Sequence, residues 1–479
     1  MLRILVLFIF LPFACFAQKQ GNIWYFGDHA GLDFNSGVPV LLEDGQTADT
    51  GCPSCHSEGT AVMADSSGAL LFYCDGSTIW NRQHQVMPNG TGLTSSISAT
   101  QSSLIIPLPG SSRYFYVFTV DDFFDDLQDG FRYSVVDMCL DNGMGDVISE
   151  QKNVLLLDTV AEKLTAVRHA NGTDYWIIVH KYYSDAFHAY HLSAAGIVNA
   201  VVSNTGSVHP TVMGIGGSIG QMKASPNGEK LAVVGGNGNV VAEYFDFDKT
   251  TGVVSNPYYL PIGVADNFYG VSFSPDNTKL YVACVVNCQG VWQYDLAAGD
   301  SLAIAASKTL ISGQNGNFLG LQLATDGKIY VARSPFQTHA YLGVINQPNN
   351  AGMSCNYIDS AINLNGHHAS YGFPNFVDSY DYSNTVSPCK VADIDEAYAG
   401  QLLIFPNPFT QETTIRFGQQ PTNASLIVYN AFGQKTKVIE NISEQTIALQ
   451  RDGLANGVYF VSLEENGKVL LTKKLVIVD

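Results

Sequence analysis

Four short stretches combine residue types and spacings that could do chemistry. Cys52-Pro53-Ser54-Cys55-His56 has the spacing of a c-type haem attachment, in which two thiols form thioethers and the histidine ligates iron. Such a haem sits in an apolar helical pocket, whereas Gly51 and Pro53 lead into the strand-like GTAVMADSSG, so a local disulfide or surface loop is expected and haem is the alternative. Asp121, Asp122, Asp125, Asp126 and Asp129 crowd five carboxylates into DDFFDDLQD; oxygen-rich loops of this kind coordinate calcium, although the spacing is not that of an EF-hand and a solvated acidic loop is the plainer reading. Gly216-Gly217-Ser218-Ile219-Gly220 fits the nucleophile-elbow pattern but lacks the strand-turn-helix setting that raises the serine, so no hydrolase is inferred from it. His169, Asp174 and Trp176 are polar and aromatic groups of a kind that hydrogen-bond inside β-blades, and a structural role is expected.

The elements that must position these residues form a repeat. KASPNGEKLAVV, FSPDNTKLYVA and LATDGKIYVA each join a polar turn to an apolar run, and their first apolar positions, Leu231, Leu280 and Ile329, are 49 and 49 residues apart. Looser copies start at Ile23, Leu71, Phe115 and Ile177, giving seven. Gly, Asn and Asp supply the hairpin turns, and β-branched and aromatic runs pack between sheets. A unit near fifty residues matches one propeller blade, so an all-β fold with a seven-bladed β-propeller over 18–383 is predicted. The outer runs, Asn22–Gly27 and Tyr371–Val377, are expected to complete one blade together and so bury its edges. The four tryptophans, 24, 80, 176 and 292, read as core.

Residues 1–17 have the form of a signal peptide: Arg3, the apolar run Ile4–Phe13, and a small-residue cleavage position at Ala17. Ten apolar residues are too few to span a bilayer, which needs about 20. Exported chains meet oxidising conditions, so among the eight cysteines after residue 17 a local Cys284–Cys288 bridge is expected, the other pairings staying open. The net charge of −19 is concentrated in 18–383, since seven basic and seven acidic residues balance from Gln401 onward. A domain this acidic repels phosphate backbones and anionic membranes, leaving cations, neutral sugars and proteins as partners.

Residues 384–401 read as a linker, and 402–479 as short alternating strands of a small immunoglobulin-like β-sandwich. This last unit resembles the type A C-terminal sorting domain of the type IX secretion system. The motifs run in order: Pro406-Asn407-Pro408 after an apolar strand, Val428-Tyr429 leading to Gly433, Leu454, Gly457-Val458-Tyr459, and Lys473-Lys474 before a closing strand. The resemblance implies export through the periplasm, recognition by the outer-membrane translocon and removal of the domain near the linker. Residues 18–383 resemble secreted β-propellers joined to such domains, on Asn22–Gly27, Gly31–Phe34, Leu70–Asn81, Met87–Gly90 and Tyr371–Tyr380.

The expected function is therefore a secreted or cell-surface, non-enzymatic binding protein that presents propeller loops to a glycan or protein. A propeller hydrolase or lyase acting on extracellular polysaccharide is one alternative, to be favoured by acidic pairs converging on the channel. A haem redox protein using Cys52, Cys55 and His56 is the other.

Overall fold

The computed structural model describes residues 18–47, 57–123, 127–209, 217–235, 241–260, 267–286, 289–313, 316–333, 340–382, 402–417, 420–430, 434–465 and 468–479. The haem motif Cys52, Cys55 and His56, together with Asp125, Asp126, Gly433, Cys288, the signal region and the 384–401 linker, lies outside these residues.

The chain divides into two units, Met1–Pro388 and Cys389–Asp479. In the first, the described strands form seven sheets in chain order, all with antiparallel pairing. Six of them hold a repeat run as their second strand. Leu71 lies in Leu70–Cys74, Phe115 in Tyr114–Val120, Ile177 in Tyr175–Lys181, Leu231 in Lys230–Gly235, Leu280 in Lys279–Val286 and Ile329 in Ile329–Arg333. Ile23 opens the first strand of sheet 1, Ile23–Phe26. These runs are buried on both faces, which is why they read as continuous rather than alternating apolar stretches.

First strands of successive sheets are neighbours, and the last sheet packs against the first. Trp24 lies 5.4 Å from Tyr330 in sheet 7 and 4.9 Å from Phe34, and one apolar cluster holds all three. Phe373 and Phe376 join it at 5.6 and 6.0 Å from Trp24. Aromatic pairs at such distances contribute about 0.5–1.5 kcal/mol each beyond the area they bury.

The return segment departs from the sequence expectation. Tyr371–Val377 packs on Ile23–Phe26 through its phenylalanines but forms no ladder with it; within the run Pro374 bridges Thr60, ahead of the second sheet, and just outside the two runs Asp28 and His368 form an antiparallel bridge. There Gly27, at φ +56°, passes so close that a Cβ would lie 2.1 Å from the His368 carbonyl oxygen. Beyond it, the segment runs among the first strands of the other sheets. Asn375 donates from its backbone N to Thr60 O at 2.8 Å and from Nδ2 to Leu164 O at 2.7 Å. Tyr371 O accepts from Gly320 N at 2.9 Å, in a fit so close that a Cβ on Gly320 would stand 2.9 Å from Gly372 Cα.

In the terminal unit, sheets of three and four strands enclose one core of Leu402, Ile415, Leu426, Val428, Val461 and Leu475 with their neighbours. Asn407 ties the start of this unit to its last strand: Nδ2 donates to Lys474 O at 3.0 Å and Oδ1 accepts from Val476 N at 2.8 Å. Lys473 Nζ donates to Leu402 O at 2.5 Å, Tyr459 OH donates to Ala455 O at 2.9 Å, and Thr413 Oγ1 donates to Pro406 O at 2.6 Å. Gly457 opens the strand Gly457–Glu465 at φ +152°. Among the described residues no helix is long and apolar enough to cross a membrane.

Candidate functional site

A buried polar core runs along the first strands of the first unit, Met1–Pro388, called the cargo unit from here on. Side-chain amides bridge sheets there: Gln101 accepts from Met222 N at 2.7 Å and donates to Met222 O at 3.1 Å, while Gln221 Oε1 accepts from Val271 N and Leu321 N, both at 3.1 Å. Each amide supplies a donor or acceptor that an adjacent sheet cannot, since first strands of neighbouring sheets do not pair as ladders. Lys223 Nζ sits 3.4 Å from Asp378 Oδ1, 2.6 Å from Gln322 Oε1 and 3.2 Å from Asn375 Oδ1, with both charged side chains at most 5% exposed. Burial pushes the Lys223 ammonium down and the Asp378 carboxyl up, and their mutual attraction opposes both shifts.

Beyond Asn375 in one direction, charged groups from different sheets converge. Glu58 accepts from Tyr269 OH at 2.5 Å and from Ser98 Oγ at 3.3 Å. Glu162 accepts from Thr100 N at 2.9 Å, Thr100 Oγ1 at 2.8 Å and Phe123 N at 3.0 Å. Burial first, and the neighbouring Glu162 charge second, hold the Glu58 carboxyl well above its usual range. Glu162 is raised by the same burial, against three donors and the Lys163 charge. Lys163, pushed down by burial, donates to Ser218 O at 2.7 Å and Ile219 O at 2.8 Å. Next to it His180 and His209 stack at 3.9 Å and 14°, and none of their four ring nitrogens has a hydrogen-bond partner among the described residues. Burial lowers His180 to about 3 and holds His209 well below its ordinary value, so both rings stay neutral.

In the other direction the core opens into a cavity of about 700 Å³ bordered by Lys19, Phe34, Asn35, Asp326, Tyr380 and Asp381. Tyr380 OH donates to Leu323 O at 2.5 Å, which fixes the aromatic wall.

The sequence-expected sites are distributed differently. Asp121 and Asp122 are buried; Asp121 accepts from the backbone N–H groups of Asp122 at 2.8 Å and Asp129 at 3.0 Å, and Ser96 Oγ donates to Asp122 at 2.5 Å. Asp129 stands 3.9 Å from Arg132. No three metal-ligating side chains surround a common point among the described residues. Ser218 is fully buried in a bend before the short strand Met222–Ala224, so its hydroxyl is not lifted on an elbow. His169, Asp174 and Trp176 hold a turn, its own sheet and the next sheet together: His169 Nδ1 accepts from Asn171 N at 3.0 Å, Asp174 Oδ2 lies 2.9 Å from His191 Nε2 on the adjoining strand, and Trp176 Nε1 donates to Lys249 O, in a turn of the following sheet, at 2.9 Å. Trp24, Trp80 and Trp176 are buried, while Trp292 carries Lys308 over its ring at 4.5 Å. Cys74 and Cys355 are free and buried; Cys139 and Cys284 are disulfide-bonded.

Glu58, Glu162, Lys163 and Tyr269 were not singled out by sequence. A usable signal was there: Gln101, Lys163, Gln221 and Gln322 each lie on or just before the strand that precedes a repeat run, a place where aligning the repeats on one another would expose polar residues.

Residues 403–478 match the family model described as the secretion system C-terminal sorting domain. That domain marks the chain for export by the type IX system to the cell surface or beyond, with the type IX machinery as its partner. No curated protein matches the chain significantly. Among solved structures, Hsv2 of Kluyveromyces lactis is 11% identical, with 68% of this chain and 90% of that chain covered at a TM-score of 0.38. The Cps50 (Swd1) β-propeller domain of Myceliophthora thermophila is 10% identical over 66% and 94%, TM-score 0.38. A 6-phosphogluconolactonase-like structure from Bacteroides uniformis is 10% identical over 72% and 98%, TM-score 0.45. Similarity at this level leaves the architecture to be argued from the sheets themselves.

Proposed function

We propose that the exported chain is a non-enzymatic binding protein whose cargo unit is a seven-bladed propeller offering one end to a glycan or protein, carried by an immunoglobulin-like sorting sandwich. The observation that supports this most is the 700 Å³ cavity beside Asp378, where a cation, two carboxylates, an amide and two aromatic rings border one opening. Sugars are held by such sets, in which polar groups take hydroxyls and ring faces take the apolar side of the pyranose. The return segment fills the space among the first strands, so a ligand meets the end of the ring and not its interior. The test is binding of the untagged mature chain to arrayed polysaccharides and surface proteins. Lys19→Ala with Asp381→Ala should weaken binding about tenfold at unchanged melting temperature. Equal binding by parent and variant would rule this cavity out.

A hydrolase or lyase acting on extracellular polysaccharide is the second reading, favoured by the convergence of Glu58, Glu162 and Tyr269. Environments that separate two carboxyl groups into a protonated acid and a hydrogen-bonded carboxylate suit acid–base work. Release of reducing or unsaturated ends, abolished by Glu58→Gln, would establish it. Calcium at Asp121–Asp129 and haem at Cys52, Cys55 and His56 are tested by calcium-dependent melting, diminished by Asp129→Asn, and by visible absorption of the purified chain.

A further inference from the structure

The cavity beside Asp378 has a neighbour. A hollow of about 200 Å³ lies against it, and the two share Pro226, Ser379 and Asp381 as a common wall. The wide arm is bordered by Phe34 and Asn35 of the first sheet's hairpin and by Asp326 in a turn of sheet 7; the narrow arm is bordered by Arg168, which ends the first strand of sheet 4, and by Asn227 and Lys249 in turns of sheet 5. One groove therefore runs from sheets 1 and 7 to sheets 4 and 5. Its shared wall is held from both arms. Gln18 Nε2 donates to Asp381 Oδ1 at 3.3 Å and Gln18 Oε1 accepts from Tyr382 N at 2.5 Å. From the other side Arg168 Nη1 donates to Asp381 O and to Tyr175 OH, both at 2.8 Å, with its guanidinium 4.9 Å from the Tyr175 ring centre. The arms differ in charge. Asp326, Asp378 and Asp381 outnumber Lys19 in the wide arm, whereas the narrow arm sets Arg168 and Lys249 against Asp381 alone.

Resting on the binding reading above, we propose that this groove takes one glycan chain across both arms, with neutral sugar units in the wide arm and a single uronate carboxylate held by Lys249 and Arg168 in the narrow one. Lys249 Nζ donates to Asn227 O at 2.8 Å, which leaves its other N–H bonds for a ligand. Hydrogen bonds from a cation to a carboxylate are about twice as strong as neutral ones. In the wide arm the Asp326 carboxylate accepts from Tyr330 OH at 2.9 Å and from Lys328 N at 3.0 Å and keeps acceptor capacity for sugar hydroxyls, while Tyr380 offers a ring face to a pyranose. Charges farther away than about 8 Å are screened at physiological ionic strength, so the acidity of the rest of the unit does not set the sign at the narrow arm. That acidity does disfavour a polymer charged at every unit, which is why one isolated carboxylate fits.

Matched pairs of hexose oligomers, from disaccharide to hexasaccharide, each either neutral or carrying one terminal uronate, test the groove when arrayed and then titrated against the untagged mature chain. The best uronate oligomer should bind at least about tenfold more tightly than its neutral partner, and affinity should rise beyond the disaccharide as both arms fill. Lys249→Gln should remove that preference, so that acid and neutral partners bind alike, at an unchanged melting temperature; Lys249→Arg should keep it. If Lys249→Gln melts lower, the methyl ester of the uronate oligomer replaces it, removing the charge without touching the protein, and should bind the parent about tenfold more weakly than the acid. Equal binding of acid and neutral partners by the parent, or an acid preference that survives Lys249→Gln, overturns the proposal; if Lys19→Ala with Asp381→Ala still weakens that binding, the binding reading stands without it. Binding to none of the oligomers also overturns it, and a protein ligand lost with the same Lys19 and Asp381 changes would then keep the cavity as a protein site.

Discussion

The two units of this chain use their recognisable residues in opposite ways. In the terminal unit the residues that make the sequence identifiable also hold its strands together: Asn407 bonds twice to the closing strand, Lys473 reaches back to Leu402, and Tyr459 bonds to Ala455. In the cargo unit, two of the stretches that look like chemistry are local turn structure, and the charged groups that do converge come from Glu58, Thr100, Glu162 and Tyr269, scattered over more than two hundred residues. The small two-sheet unit is specified by short-range signals, whereas the unit of successive antiparallel sheets gathers its buried polar groups from single residues of different sheets.

That contrast can be broken or sharpened by substitution. Lys223→Met should have the largest effect, because it strands Asp378 in the polar core; loss of a partner from a buried pair costs about 3–5 kcal/mol. Urea unfolding should show the loss in the cargo transition only, and Lys223→Met with Asp378→Leu should recover much of it. A cargo transition that does not move would mean that water reaches the pair. Asn407→Ala removes two hydrogen bonds from the terminal unit and should lower its stability by about 1–3 kcal/mol, leaving the cargo transition in place. A shift of both transitions would show that the units do not unfold independently.

The smallest expected effect concerns the stacked histidines. Folded His180 stays neutral down to about 3, while the unfolded ring takes a proton below its ordinary 6.5. Between those values the unfolded chain binds more protons, so stability falls as pH falls, by at most about 1.4 kcal/mol per pH unit for each such ring. Glu58 works in the other direction above its ordinary 4.5, since the fold keeps a proton that the unfolded chain has released. His180→Phe should therefore flatten the loss of stability between pH 6.5 and 5, read as melting temperature against pH. An unchanged slope would assign the acid sensitivity to other groups.

How much was legible follows from the same physics. The second strands of six sheets were found because turn residues followed by apolar runs survive as a local pattern. The first strands of sheets 3 and 4 were not: Ser103 with the Thr100-Gln101-Ser102 just before its strand, and Glu162-Lys163, are polar in sequence, yet every one is buried, where polar groups meet partners from other sheets. Hydrophobic periodicity cannot show a strand whose partners are amides and carboxylates from other sheets. The return segment was visible as an apolar run, but its path depends on Thr60, Leu164 and Lys223, which no local pattern connects to it. In the terminal unit, by contrast, the boundaries and motif order alone were enough to place 402–479, in agreement with the match over 403–478.

The return segment also sets a timetable. Asn375 and Asp378 meet partners 274, 211 and 152–155 residues earlier in the chain, so the polar groups of the first five sheets wait for the last part of the cargo to be synthesised. Contacts of such long range form slowly. A nascent cargo lacking that segment has Lys223 without its counter-charge and Gln101 without one of its amide contacts, which disfavours premature compaction while the chain must still thread across a membrane. Because 402–479 follows directly behind, the export address and the last piece needed for folding leave the ribosome almost together.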